Sequence, residues 1–504
     1  MPPLLRILLM PSGRRLEVPR DGALANVLFA HGVEFPCGGR RRCRGCRIRV
    51  LSGRLQETEA DCERLQPHER QQGWRLACQA RAETDLVLEV AQWQMPVLTD
   101  ETPVPWEAAD GYGVAVDLGT TTVAAQLVNL QNGEILAVQT ALNAQARHGA
   151  DLVSRLDFAL APSGRATLTE VCRLQIFQMI RALLHAAALA PEALRSVVLV
   201  GNTVMHHLFS GLPIESLARF PFEPFTREAQ GFRPDQLGWS LPAEVDIWFL
   251  PCLGGFVGSD LLAGLLATPV HSASETEALL DLGTNGEIVV ALYGELLCTS
   301  TAAGPAFEGA RLSMGMRAAS GAITRVQVHE DGLICQVLGG GPARGICGSG
   351  LVDAVAAALD LGWIARSGRL TLAPTLRLTD SVCLTQQDIR ELQLAKAAIA
   401  AGLRLLLRQR DLATSALTRV HLAGAFGNAL DPTSAHRIGL LEVAPDRIVP
   451  AGNAALRGAR IALSLRGPNH PQLARLCSRV THIPLHTLPE FEDTFVDCLA
   501  FPAR

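Results

Sequence analysis

Three of the chain's 13 cysteines fall within ten residues, Cys37, Cys43 and Cys46 in CGGRRRCRGC. A four-coordinate set of thiolates lacks one member, and two downstream cysteines compete for the place, Cys62 and Cys78. Four thiolates can hold a pair of irons, two on each, if the loop bends tightly and turns backbone N–H groups toward the sulfurs. Gly38, Gly39 and Gly45 permit that close approach because they carry no Cβ. Zinc is the other metal for clustered thiols, but its sites usually pair two C-x2-C units, and here only Cys43–Cys46 has that spacing. A second chemistry lies further on, where Asp117-Leu118-Gly119-Thr120 recurs as Asp281-Leu282-Gly283-Thr284. An aspartate followed by glycine and hydroxyl residues offers donors for phosphate and a carboxylate for Mg²⁺.

The elements around the cysteines read as strand, turn, strand in LLRILLMPSGRRLEV, then a helix in ALANVLFAHG with Leu24, Val27 and Leu28 on one face. The cysteine loop follows, then a strand in RIRVLSG and a closing strand pair within GWRLACQARAETDLVLEV. This is the order of a β-grasp ferredoxin. The spacing Cys37-x5-Cys43-x2-Cys46 differs by one residue from the plant-type [2Fe–2S] pattern C-x4-C-x2-C with its distant fourth cysteine, and resembles the adrenodoxin-like branch. Cys78, in LACQA, fits the fourth place better than Cys62. Arg40, Arg41, Arg42, Arg44, Arg47 and Arg49 surround the loop, either as a solvated collar or as a docking surface for an acidic redox partner. Residues 92–111, with three prolines and no hydrophobic period, read as a linker.

Beyond the linker each Asp-Leu-Gly-Thr joins two strands, YGVAVDLGTTTVAAQL and EALLDLGTNGEIVVAL, at a domain-sized offset that points to duplication. A glycine turn runs into a helix at 250–266, and a glycine loop into a long apolar helix at 339–359. A strand ends in Gly424 and Gly427, and a small-residue helix starts within 452–463. Walker A, GxGxxG and G-x-S-x-G patterns do not occur. The expected architecture is mixed α+β and α/β: a β-grasp [2Fe–2S] domain (1–91), the linker (92–111), and a duplicated actin-like, ribonuclease H-like ATPase domain (112–504) with lobes 112–270 and 271–504.

The order of these pieces resembles the actin, sugar kinase and heat-shock ATPase superfamily. With the N-terminal cysteines it resembles, more narrowly, the reductive activators of corrinoid proteins, in the segments AVDLGTTTV, NAQARHGADLVSR, DLGTNGE, GICGSGLVDAV, TQQDIRELQLAKAAIAAG and LAGAFGN. The resemblance implies ATP-dependent return of a Co(II) corrinoid to Co(I). One electron would pass from the [2Fe–2S] cluster to a corrinoid protein of a methyltransferase system. A donor near −400 mV makes that step uphill, at about 1.4 kcal/mol per ~59 mV for one electron, and nucleotide would gate it. It also implies the nucleotide residues: Asp117, Gly119, Thr120, Thr121 and Thr122 in the first hairpin, and Asp281, Gly283, Thr284, Asn285 and Gly286 in the second. Gly348, Ser349, Gly424, Ala425 and Gly427 would lie toward adenosine, and Glu287 and Glu308 could orient water. Cys37, Cys43, Cys46 and Cys78 would hold the cluster, with ATP and Mg²⁺ as the other cofactors. An upstream electron donor and a homodimer are further implications. Long members of that family carry a middle domain between ferredoxin and ATPase, and this chain is expected to lack it. Isolated Cys477 and Cys498 give no expectation of a second cluster. A small-molecule kinase of the same superfamily and an ATP-driven activator of a radical dehydratase are the competing readings.

The bulk composition fits these assignments. At 504 residues the chain exceeds a single core. It is 48% hydrophobic and 19% charged, with a net charge of −4. Such a balance argues against a nucleic-acid or membrane partner. No apolar run reaches the ~20 residues of a membrane helix, and the N-terminus lacks a signal-peptide pattern, so a cytoplasmic setting is expected.

Overall fold

The computed structural model describes all residues except 1–2, 11–12, 30, 32, 34, 36–38, 40, 42–45, 91–99, 150, 284, 310, 331, 469 and 504. Cys37, Cys43, Gly38, Gly45, Arg40, Arg42, Arg44 and Thr284 therefore lie outside the described residues. The chain divides into two units, one of Met1–Pro96 with Ala144–Ala161, the other of Val97–Asn143 with Pro162–Arg504.

The first unit is built on a five-stranded mixed sheet in the spatial order Arg14–Pro19, Leu4–Met10, Leu86–Val90, Arg47–Ser52, Trp74–Leu76. Leu4–Met10 and Leu86–Val90 run parallel, and the other pairs are antiparallel. Alternation sets the faces: Ile7 and Leu9 of one strand, and Leu86, Leu88 and Val90 of its neighbour, turn inward to meet Leu24 and Leu28 of the helix Leu24–Phe29. The two strands of the closing segment do not pair with each other; they flank Arg47–Ser52. Two short helices, Glu59–Arg64 and Pro67–Gln71, were not anticipated. The first has a sequence signal, Thr58-x-x-Asp61, which forms a reciprocal capping box.

The second unit holds two six-stranded sheets of the same plan. In the first, Tyr112–Leu118, Thr122–Asn129 and Ile135–Leu142 form an antiparallel meander. Leu194–Val200 and then Asp246–Phe249 add parallel to its first strand. In the second, Glu277–Leu282, Gly286–Leu292 and Glu295–Thr301 repeat the meander, and Arg419–Ala423 and Ile448–Gly452 repeat the parallel additions. Both sheets thus have the strand order 3-2-1-4-5 of a duplicated ribonuclease H-like fold. Helices Ser259–Ala267 and Ala454–Ser464 cross closely, since a Cβ on Gly458 would stand 1.9 Å from the Ala263 carbonyl oxygen. One core joins residues of both sheets to these helices, including Val200, Leu262, Leu279 and Leu456.

Of the expected linker, residues 92–99 lie outside the described residues, and the stretch from Asp100 onward is packed into the second unit. Buried Asp100 pairs with Arg457 at 2.7 Å and accepts from the Gln126 side chain at its carbonyl. The Trp106 indole donates to the Leu130 carbonyl at 2.8 Å. An acid and an aromatic inside a proline-rich stretch are what hold it down.

Candidate functional site

The thiol site is set by the pairing of two strands. Cys46 is buried just before Arg47–Ser52, and Cys78 is half-buried just after Trp74–Leu76. Arg47 faces Leu76 in the antiparallel register, and the Ala77 N–H donates to the Cys46 carbonyl at 2.9 Å, so the two cysteines leave neighbouring strand ends together. Gly39 passes over Cys78: it has φ +74°, and a Cβ there would stand 3.9 Å from the Cys78 Cβ. Cys62 is exposed and engaged elsewhere, with Arg70 at 3.3 Å and Glu57 at 3.9 Å. These described residues fit a thiolate cluster that includes Cys46 and Cys78 and leaves Cys62 aside. A [2Fe–2S] cluster bound there supplies single electrons.

Asp61 fixes this geometry from behind. Fully buried, it accepts from the Thr58 N–H at 2.8 Å and hydroxyl at 2.9 Å, and from the Leu76 N–H at 2.7 Å. It therefore ties the capped helix to the strand that ends two residues before Cys78. Among the described collar arginines, Arg47 pairs with Glu69 at 3.2 Å, Arg49 with Glu89 at 3.7 Å and Arg41 with Glu59 at 3.7 Å.

In the second unit the repeated hairpins bring carboxylates together. Asp117 and Asp281 end the first strand of each meander. Asp260, in the first turn of Ser259–Ala267, lies near both, and Glu287 stands opposite Asp281 in the antiparallel register. The three aspartates keep part of their surface open, yet all four acids sit in a tightly enclosed place. Burial first, then the charges of Asp260 and Asp281, pushes Asp117 up to about 8, and a hydrogen bond from Asn453 works against that shift. Burial and Asp281 push Asp260 up to about 7, and burial pushes Asp281 up to about 6. Glu287 is driven well above the carboxylate range by burial, then by Asp260 and Asp281. Burial is the largest cause of all four shifts, and the charges of Asp260 and Asp281 add to those of their neighbours.

The hairpins differ by one residue. Asp117 faces Ala124 across the first, whereas Asp281 faces Glu287 across the second. In the first, the Gly119 N–H donates to the Thr122 carbonyl, and a Cβ on Gly119 would stand 2.6 Å from that oxygen. Thr120 accepts from Asn202 at 2.9 Å, and Thr121 donates to Glu308 at 3.3 Å, which carries a contact from the first meander to the second half of the unit. In the second, the Gly283 N–H donates to the Asn285 carbonyl at 3.0 Å, and a Cβ on Gly286 would stand 2.0 Å from Ile399 Cδ1. Gly424 belongs to this centre: at φ +82°, its Cβ would stand 2.7 Å from Asp281 Oδ1. Ala425 is exposed beside it, and Gly427 is buried against Leu422. Gly348 and Ser349 serve packing. A Cβ on Gly348 would stand 1.9 Å from the Phe307 carbonyl oxygen, and buried Ser349 donates to Thr324.

Sequence reasoning missed Asp260, Asn202 and Asn453. All three occur at helix starts, where Asp and Asn are read as ordinary capping residues. Their signal was the repeated pattern of glycine, polar residue, helix at Gly201-Asn202, Gly258-Ser259-Asp260 and Gly452-Asn453.

The fold and sites define a ferredoxin-type domain carried on a duplicated actin-like ATPase domain. Family models agree: a 2Fe-2S iron-sulfur cluster binding domain matches residues 7–83, the RACo middle region matches 112–273, and the C-terminal domain of RACo, the ASKHA domain, matches 275–504. The chain is 33% identical over 420 residues to the corrinoid activation enzyme RamQ of Eubacterium limosum, covering 76% of this chain and 69% of that one. It is 27% identical over 428 residues to a [Co(II) methylated amine-specific corrinoid protein] reductase of Methanosarcina barkeri, covering 77% of each. A solved reductive activator for corrinoid, iron-sulfur protein superposes with a TM-score of 0.69 at 27% identity, covering 99% of this chain and 98% of that one. The chain belongs to this family of corrinoid-activating proteins. Residues 112–273, which carry the first copy of the duplicated sheet, are the region that the middle model matches.

Proposed function

We infer that this protein is an ATP-dependent reductive activator that returns the cobalt of a corrinoid protein from Co(II) to Co(I) with one electron. Family membership supports the reaction, and one observation carries the coupling to nucleotide. Asp117 and Asp281, from two copies of one hairpin, converge with Asp260 and Glu287, while the same chain places Cys46 beside Cys78.

Cys37, Cys43, Cys46 and Cys78 are proposed as the cluster ligands. Asp117 and Asp281 would hold Mg²⁺, directly or through water, which would relieve the mutual repulsion of the four acids. Gly119, Thr120, Thr121 and Thr122, with Gly283, Thr284, Asn285 and Gly286, would hold phosphate. Gly424, Ala425 and Gly427 would border the adenosine side, and Gly348 and Ser349 would support it from behind. Glu287 and Glu308 are candidates for orienting water. The Thr121–Glu308 hydrogen bond joins the two halves of the unit, so a phosphate at the first hairpin can bias how those halves close. Binding energy spent on one closed state shifts the population in which electron transfer occurs. A separate protein would reduce the cluster, and a homodimer working in the cytoplasm completes the proposal. The test mixes chemically reduced protein with a Co(II) corrinoid protein and follows Co(I) absorbance. Formation that requires Mg-ATP supports the reading, and equal formation without nucleotide contradicts it.

A further inference from the structure

Three asparagine side chains converge on residues 117–121. Buried Asn143 donates its amide to the Gly119 carbonyl at 2.8 Å. Asn202, also buried, donates to Thr120 Oγ1 at 2.9 Å. Asn453 hydrogen-bonds Asp117. The direction of the Asn202 amide is set by its second bond: Oδ1 accepts the Met205 N–H at 3.0 Å and caps the helix Thr203–Ser210. The NH₂ end must therefore be the end that faces Thr120. Asn453 repeats the arrangement, with Oδ1 accepting the Leu456 N–H at 2.9 Å.

We propose that Asn202 is a positioning residue for nucleotide phosphate, which it serves by setting the polarity of the Thr120 hydroxyl. This rests on the reading that residues 117–122 hold phosphate. A hydroxyl has one proton and two lone pairs. An amide NH₂ can only donate, so it occupies a lone pair of Thr120 Oγ1 and sends the hydroxyl proton to a different acceptor. A phosphate oxygen is such an acceptor, and a hydrogen bond to a charged oxygen is among the stronger kinds. The chain of causes is then helix cap, amide direction, hydroxyl direction, phosphate. The asparagine amides take up acceptors of the hairpin, Gly119 O and Thr120 Oγ1, from the protein side.

A cap residue with no such role would act on folding alone, which the following variants of the full chain separate. Asn202→Asp keeps a good cap but presents an acceptor to Thr120, which turns the hydroxyl inward. Asn202→Ser keeps a cap, stays neutral and is too short to reach. Thr120→Val removes the hydroxyl, and Thr120→Ser retains it. Mg-ATP affinity is measured by calorimetry and folding by thermal melting. The expected result is that Asn202→Asp and Thr120→Val bind ATP about 10- to 100-fold more weakly, and Asn202→Ser more weakly than wild type, at melting temperatures near wild type. Thr120→Ser should bind like wild type, and Asn202→Ser with Thr120→Val should bind no more weakly than Thr120→Val alone. Asn202→Ser binding ATP like wild type, or losses that add in the double variant, would overturn the proposal. If an Asn202 variant fails to fold, Thr120→Val binding ATP like wild type overturns it alone. A wild-type chain with no affinity for ATP would instead sink the nucleotide reading on which this one rests.

Discussion

Asp61→Ala is the sharpest test of how the first unit holds its cysteines. The substitution removes three hydrogen bonds, those from the Thr58 N–H, the Thr58 hydroxyl and the Leu76 N–H. Asp61 is fully buried, so water cannot readily replace it, and the Leu76 N–H is left without its acceptor. An orphaned buried donor costs about 1–3 kcal/mol, and loss of the capping interactions about 1 kcal/mol more. A total of roughly 2–4 kcal/mol corresponds to a fall of about 10–25 °C in melting temperature for a domain of this size. The assay follows visible absorbance of the cluster on heating, together with hydrogen exchange of the peptide spanning 72–80. The variant should release the cluster at the lower temperature and exchange the Leu76 amide faster at 25 °C. Asp61→Asn keeps one acceptor and should fall between the two. Melting within about 3 °C of wild type, a shift worth under 1 kcal/mol, would refute the claim that this carboxylate ties the helix to the strand before Cys78.

Other expectations follow from single distances. Gly424→Ala meets both a left-handed φ and the Asp281 carboxylate. It should cost about 1–2 kcal/mol of stability and weaken Mg-ATP binding on calorimetry, and unchanged affinity would remove Gly424 from the site. Gly458→Ala places a Cβ against the Ala263 carbonyl; it should force the two crossing helices apart at about 1–3 kcal/mol, read from urea unfolding. Lys396 is buried and donates to the Cys498 and Ala500 carbonyls at 2.6 and 2.7 Å, and burial lowers its pKa to about 8. The folded state disfavours the charged amine, so stability rises as pH climbs from about 8 toward the unfolded value near 10.5, by roughly 3 kcal/mol. The difference in unfolding stability between wild type and Lys396→Met should shift in favour of wild type across that range, while buried thiols with raised pKa values lower the stability of both proteins.

The sequence made the architecture readable where local patterns repeat. Asp-Leu-Gly-Thr occurs twice because each copy must end a strand and turn it back within a few residues, and five strands of each sheet repeat in the same order. Cys78 is preferred to Cys62 because it sits in a strand-like run, and the Ala77–Cys46 hydrogen bond sets its strand end beside that of Cys46. What escaped notice depends on distant partners. Asp260 gains its role from Asp117 and Asp281, far away in sequence, and its own surroundings read as a glycine turn before a helix. Asn202 and Asn453 look like caps because they are caps, and their second bonds are invisible without the fold. Asp100 and Trp106 looked like linker because proline spacing says nothing about Arg457 or Leu130.

The central claim, that nucleotide held by the paired aspartates gates delivery of the electron, is tested most directly by Asp117→Asn and Asp281→Asn. Each removes a carboxylate from the shared centre and keeps its shape. Both variants should fold, keep the visible spectrum of the cluster and accept electrons from a strong chemical reductant. Formation of Co(I) on a Co(II) corrinoid protein should then collapse in the presence of Mg-ATP to the rate of wild type without nucleotide, along with ATP turnover. Variants that reduce the corrinoid as fast as wild type with Mg-ATP would contradict the account, and the nucleotide site would not be the gate.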